Sequence, residues 1–172
     1  MSGYLDRLDD RVDRWWNRRR GIPVVDRFFY SASEAGNFSV IWHLLGLLQA
    51  AVLLDPLIAV VLSVSLAIES ALVNGPVKAA FRRSRPVPIY DHPYRLRTPR
   101  TSSFPSGHAS AAMVAAALLS RSGLTPLWYA IALLVALSRI HVRLHHASDV
   151  AGGLIVGALL GQAALALSDA ML

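Results

Sequence analysis

The chain has no cysteine, which excludes disulfides, thiolate nucleophiles and thiolate metal ligands and leaves the redox state of its compartment unread. Charge is scarce too. Asp, Glu, Lys and Arg make up 16% of the 172 residues while hydrophobic residues make up 54%, where an ordinary soluble domain carries about 25% charged residues. Lipid is the expected surrounding. Nothing in the composition marks a second folding unit, so one domain over 1–172 is expected, with 1–37 as an N-terminal segment and 38–168 as a membrane core. The first 30 residues lack a continuous apolar run, so no cleaved signal peptide is expected.

What the chain does have is a series of charge-poor stretches. A bilayer core about 30 Å thick needs roughly 20 apolar helical residues. Five segments approach this: 35–54, 56–77 with Glu69 as its one charge, 102–120, 122–138 and 150–168. The expected fold is therefore an all-α integral-membrane bundle of about five transmembrane helices. The second span is expected to stop at Asn74-Gly75-Pro76. In the last, Gly153, Gly157 and Gly161 repeat every four residues, a spacing that lets helices approach closely. Packing within the chain is the plainer reading, and a homodimer through these glycines is the alternative.

Residues 4–20 alternate Asp and Arg around Leu5, Leu8, Val12, Trp15 and Trp16 at a near-helical period. An amphipathic helix is expected at the membrane interface, with both tryptophans at headgroup depth and Arg18, Arg19 and Arg20 beside lipid phosphates. A solvated helix packed on the rest of the protein is the alternative.

Three polar clusters interrupt this apolar chain. Lys78 and Arg85-Pro86 follow the second span in a polar connection, 78–104, that holds seven Lys or Arg. A basic run after a span is commonly a topology signal, and alone it carries little. Pro105-Ser106-Gly107-His108 opens the alanine-rich third span. A turn entering a helix presents free N–H groups and the positive end of the helix dipole, a ready anion site; Ser106 adds a hydroxyl, and Gly107 lets an anion approach the backbone. The third cluster runs from Ser138-Arg139 through His141, Arg143, His145 and His146 to Asp149. If this stretch is helical, His145 and Asp149 face each other, so that the carboxylate could orient the imidazole as a nucleophile or base. Ionisable groups at a membrane boundary are costly and more often functional than structural.

Together, Lys78-x6-Arg85-Pro86, Pro105-Ser106-Gly107-His108 and Ser138-Arg139-x5-His145-x3-Asp149 resemble the three signature motifs of the phosphatidic acid phosphatase type 2 family, whose soluble cousins include vanadium haloperoxidases. The likeness runs from 78 to 149 and on through Val-Ala-Gly-Gly; before residue 78 it is no more than membranous character. Ala147 departs from the family, where proline is frequent at this position.

The resemblance implies a lipid phosphatase in which His145 attacks phosphorus to form a phosphohistidine and Asp149 orients its ring. Lys78, Arg85, Arg139, Ser106 and the Gly107 N–H would hold the phosphate, and His108 would act as acid and then base. Spacing selects His145 over its neighbour His146. A metal reading sets His141, His145 and Asp149 on one helix face, but leaves Lys78, Arg85 and the Pro-Ser-Gly-His turn unexplained, so neither metal nor cofactor is expected. A non-catalytic protein binding anionic lipid would explain the basic connection but not the oriented imidazole. The expected partners are membrane lipids and a lipid phosphate substrate, and no nucleic acid despite the formal charge of +6.

Actinobacterial members proposed to dephosphorylate decaprenylphosphoryl-5-phosphoribose are similar in their small Arg- and Ala-rich chains, which favours a polyprenyl-linked substrate. Undecaprenyl diphosphate, phosphatidate and phosphatidylglycerophosphate are the alternatives. Basic residues concentrate on the motif side, with Arg121 alone on the other. By the positive-inside tendency the site is expected to face the cytoplasm, although many bacterial relatives work on the outer face. A short extra span at 22–37 would reverse this. Glu69 is expected either to neutralise a cation or to be protonated and buried.

Overall fold

The computed structural model describes residues 2–86, 96, 99 and 101–171. Much of the expected polar connection (87–95, 97, 98 and 100) lies outside the described residues. The described chain is all-α: α1 (Ser2–Asn17), α2 (Pro23–Ala35), α3 (Val40–Leu53), α4 (Leu57–Leu72), α5 (Lys78–Phe81), α6 (Gly107–Leu119), α7 (Thr125–His141) and α8 (Ala147–Met171).

Asn74-Gly75-Pro76 does not stop the second span. The chain widens into a π turn over Val73–Val77 and continues into α5, giving one helical rod from Pro56 to Phe81. Pro76 has no N–H for the regular ladder, and the wider turn with Gly75 at ψ −107° accommodates it. Lys78 therefore sits on a helix rather than at the start of a loop.

By length and apolarity alone, two to three of the expected spans qualify among the described residues. Pro56–Phe81 and Ala147–Ala170 are long and apolar enough to cross a membrane; a third span exists if Pro23–Ala35 and Asn37–Leu53, bent by 64°, count as one. The expected third span, 102–120, becomes helical only at Gly107, because Ser106 is the N-cap. With 13 residues, α6 reaches only about 20 Å at 1.5 Å per residue. It does not need to match the bilayer, because it is the central helix: Ala109 to Leu119 is buried almost throughout, against α4, α7 and α8.

Small residues make that centre possible. A Cβ on Gly153 would lie 2.4 Å from the Ser106 carbonyl oxygen, and one on Gly157 2.3 Å from that of Ser110. On Gly161 it would meet the Ala117 methyl at 3.0 Å. The glycine stripe thus serves packing within the chain, and the homodimer reading loses these residues. Around this centre pack Trp42, Leu62, Leu66, Trp128 and Val135. At the end remote from the three motifs, buried Gln49 donates to the Leu119 carbonyl at 3.0 Å, satisfying one of the carbonyls a helix end leaves open.

The N-terminal helix is amphipathic as expected, and one side of it packs on α7 and α8. Trp16 is buried and donates its indole N–H to His141 Nδ1 at 2.9 Å. Arg20, expected beside lipid phosphates, is buried instead; its guanidinium donates to the Ile140 and His141 carbonyls at 2.8 and 2.9 Å and pairs with Asp13. A cation at the C-terminal end of α7 complements both its open carbonyls and its dipole. Trp15, by contrast, stays exposed under the Arg19 guanidinium, and Tyr4, Leu5 and Leu8 are exposed too.

Candidate active site

Helices α3 to α8 bring the three motifs to one end of the bundle. Lys78, Arg85, Gly107, His108, Arg139 and His145 line a single cavity of about 490 Å³. Lys78 comes from the end of the long rod, Arg139 from the last turn of α7, and Gly107 and His108 from the first turn of α6. His145 lies between α7 and α8, not within a continuous helix.

The His145 ring is fixed at both nitrogens. Nδ1 lies 2.7 Å from the Ser103 carbonyl oxygen; a carbonyl only accepts, so Nδ1 carries the proton. Nε2 lies 3.2 Å from Arg85 Nη1; a guanidinium only donates, so Nε2 is the unprotonated nitrogen and accepts from Arg85, beside the cavity that both residues line. Burial pushes this imidazole down to about 4; Asp149 opposes the fall, while Arg139 and Arg85 add to it. Near neutral pH the ring is uncharged and its Nε2 is nucleophilic.

Asp149 differs from expectation in one respect. Its carboxylate is 3.8 Å from His145 Nδ1, beyond a hydrogen bond. It accepts instead from Ser103 Oγ at 2.5 Å, the His146 N–H at 2.8 Å and Arg83 Nη1 at 2.6 Å. Ser103 thus stands between them, its hydroxyl on the carboxylate and its carbonyl on the imidazole. Asp149 places Ser103, and its charge acts on the ring through space. Neither Ser103 nor Arg83 stood out in the sequence. Arg83 sits in a basic run that reads as a topology signal, and Ser103 is three residues before Ser106 with nothing local to distinguish it.

Arg83 also ties the site to α1. Its Nη2 donates to Asp9 Oδ2 at 2.7 Å, and Asp9 accepts from the Ser148 N–H and hydroxyl at 2.8 and 2.6 Å. Burial works against the guanidinium charge, but the Asp9 and Asp149 carboxylates more than offset it and raise the Arg83 pKa. Asp13 holds Arg143 at 2.5 Å in the turn that leads to His145. The acidic face of α1 is therefore a brace on the site.

The remaining cations converge on an anion-sized space. Lys78 Nζ donates to Asn74 Oδ1 at 2.7 Å. Arg139 bonds the Ser33 hydroxyl through Nη1, and its buried Nε has no partner. Gly107 leaves room beside Lys78: a Cβ there would sit 3.6 Å from Nζ. His108 Nε2 meets Asn37 Oδ1 at 3.1 Å, and Gly36 has to be glycine for the ring to fit, since a Cβ would stand 2.8 Å from His108 Cδ2. Ser106 is fully buried as the cap of α6, its Oγ 3.5 Å from the Ala109 N–H. It is not among the residues that line the cavity.

His141 belongs elsewhere. Its Nε2 is 2.8 Å from Asp26 and its ring stacks on Phe29, so α2 is locked to the end of α7. The His141, His145 and Asp149 metal face is not formed, and no cluster of three or more potential ligands occurs among the described residues. Glu69 is buried and makes no ion pair with Lys78 or Arg139.

A model of the PAP2 superfamily matches residues 58–170, a stretch that contains every motif residue lining the cavity. The chain belongs to the PAP2 superfamily. This is a family of metal-independent membrane phosphomonoesterases, and the chain is a membrane protein with several apolar helices. Over 88 residues it is 41% identical to decaprenylphosphoryl-5-phosphoribose phosphatase from two strains of Mycobacterium tuberculosis, a match covering 49% of this chain and 48% of the relative. The chain thus spans about half the length of these curated relatives. Two solved PAP2-like folds superimpose on nearly all of it. The Bacillus subtilis phosphatidylglycerolphosphate phosphatase has a TM-score of 0.74 at 21% identity, over 98% of this chain and 88% of the other. Aquifex aeolicus LpxE has a TM-score of 0.72 at 24% identity, over 92% and 95%.

Proposed function

We propose that this chain is one membrane phosphatase unit that hydrolyses a lipid phosphate through His145. The observation that carries the reading is the fixed tautomer of His145: Nδ1–H on a carbonyl and the Nε2 lone pair at Arg85, facing a cavity with Lys78, Arg139 and His108. A protein that only bound phosphate would have no use for a buried, uncharged imidazole aimed into the anion site.

In this reaction Nε2 attacks phosphorus as the P–O bond to the alcohol breaks, and His108 protonates the departing oxygen. Lys78, Arg85 and Arg139, with the Gly107 N–H and the Ser106 cap behind it, hold the phosphoryl oxygens where charge develops. The phosphohistidine carries a positive ring facing Asp149. Water, losing its proton to His108, then attacks phosphorus, the P–N bond breaks, and inorganic phosphate leaves. The three cations supply the neutralisation that a metal gives in other phosphatases.

The favoured substrate is polyprenyl-linked, decaprenylphosphoryl-5-phosphoribose, supported by the mycobacterial relatives. A panel of that lipid, undecaprenyl diphosphate, phosphatidate and phosphatidylglycerophosphate in detergent should give the highest kcat/KM for the first. Preference for a glycerolipid phosphate would refute the choice.

The proposed topology has five spans with the site toward the cytoplasm. Because α1 is braced on the site loops through Asp9 and Asp13, its arginines add to the cations at that end. Among the described residues, Arg121 is the one Lys or Arg carried by a connection at the other end. The chain has no native cysteine, so single-cysteine variants at exposed Arg18 and Arg121 report cleanly. In intact cells an impermeant thiol reagent should label position 121 and spare 18; the reverse pattern would overturn the orientation.

A further inference from the structure

Asp9 and Arg83 are not motif residues, yet both join the groups around His145. Arg83 is bonded to each element that governs the ring. Its carbonyl accepts the Ser103 N–H at 2.8 Å and its own N–H donates to Ser102 Oγ at 2.9 Å, which fixes the segment whose Ser103 carbonyl holds His145 Nδ1. Its guanidinium donates from Nη1 to Asp149 and to Ser148 Oγ, both at 2.6 Å, and from Nη2 to Asp9. Asp9 and Asp149 are both buried.

The charges of this cluster work against each other at the imidazole. Asp149 is the carboxylate that favours a positive ring, but Arg83 lies 2.6 Å from it, and a carboxylate neutralised by a guanidinium attracts a nearby cation only weakly. Charges held away from solvent at this range are poorly screened. Asp9 supplies a second carboxylate, 2.7 Å from Arg83 Nη2, so that Asp9, Arg83 and Asp149 together carry one net negative charge. Asp6 also lies 3.6 Å from Arg83, but its side chain is 61% exposed and solvent screens it. Asp9 is not among the residues that line the cationic cavity, so its charge does not meet the phosphate directly.

We infer that Asp9 is a positioning residue for the reaction: it occupies the far side of Arg83 and so leaves Asp149 its charge toward His145, while its bonds to Ser148 fix the turn that carries Asp149. The N-terminal helix is thereby part of the active site, although it precedes the stretch matched by the family model. The inference rests on the phosphatase reading and deepens it, because it names what keeps the carboxylate effective as the ring gains its positive charge.

Single-turnover phosphorylation of the full chain in detergent micelles, with whichever lipid of the panel above is turned over fastest, reads this charge. Asp9→Asn keeps a side-chain oxygen for Ser148 and loses the charge; it should slow the step about ten-fold while the half-saturating lipid concentration changes less than about two-fold. Asp9→Glu, which keeps the charge, should retain most of the rate. The decisive variant combines Asp9→Asn with Arg83→Gln: it restores one net negative charge, and its rate should return to within about three-fold of wild type. A brace that acted only by holding the fold predicts the reverse, since the double variant loses more bonds than either single one. A double variant as slow as Asp9→Asn, or slower, would overturn the inference, and so would a wild-type rate in Asp9→Asn. If Asp9→Asn does not fold, the double variant decides alone, a loss of about ten-fold or more against wild type overturning the inference. No phosphorylation of the wild-type protein by any lipid of the panel would refute the phosphatase reading itself, and this inference with it.

Discussion

Replacing Asp149 with asparagine tests the distance that separates this site from a directly hydrogen-bonded His–Asp pair. The carboxylate lies 3.8 Å from His145 Nδ1, and in the proposed reaction the ring becomes positive as Nε2 bonds to phosphorus. At an effective dielectric constant near 20, two unit charges that far apart attract by about 4 kcal/mol. The amide keeps the shape of the carboxylate and loses its charge, so the phosphorylation rate should fall about a thousand-fold. Ser103→Ala should cost much less, about ten-fold, because it removes the hydroxyl on Asp149 but keeps the backbone carbonyl that orients the ring. Single-turnover measurement with a lipid phosphate, quenched before dephosphorylation, isolates this step. If Asp149→Asn stays within ten-fold of wild type, or Ser103→Ala is the more damaging change, the through-space role of Asp149 is wrong.

Other expectations follow from burial and packing. A methyl group at Gly157 would stand 2.3 Å from the Ser110 carbonyl, so Gly157→Ala should destabilise the α6–α8 pair by about 1–3 kcal/mol, read as a lower unfolding temperature in detergent. His145 is held down at about 4 against about 6.5 in the unfolded chain. Its lowered pKa contributes stability that is fully present above about 6.5 and is lost as pH falls toward 4, on the order of 3 kcal/mol. His145→Gln should flatten the stability profile across that window; an unchanged slope would contradict the burial assigned to the ring. Activity should persist in excess chelator, as no three-ligand cluster occurs among the described residues, and a loss reversed by added divalent metal would refute metal independence.

The motif residues could be read from sequence because each carries unusual chemistry at a span boundary, and Lys78, Arg85, Gly107, His108, Arg139 and His145 do line one cavity. Ser103, Arg83 and Asp9 could not. Their roles exist only when residues 46 and 74 positions apart in the chain meet, and no local pattern records such a meeting. Amphipathic period marked the apolar face of α1, but not that Trp16 lies on His141 and Arg20 on the end of α7. An uncharged alanine-rich stretch suggests lipid; in α6 it marks the interior, where small side chains let four helices close on one. Pro76 read as a stop, and a π turn absorbed it.

Trapping the covalent intermediate tests the central claim most directly. The protein is incubated briefly with a lipid phosphate labelled on the transferred group, quenched in alkali and digested. The account predicts acid-labile, alkali-stable phosphate on the peptide containing His145, and none with His145→Ala. Label on His146 or His108, or wild-type hydrolysis by His145→Ala, would contradict it.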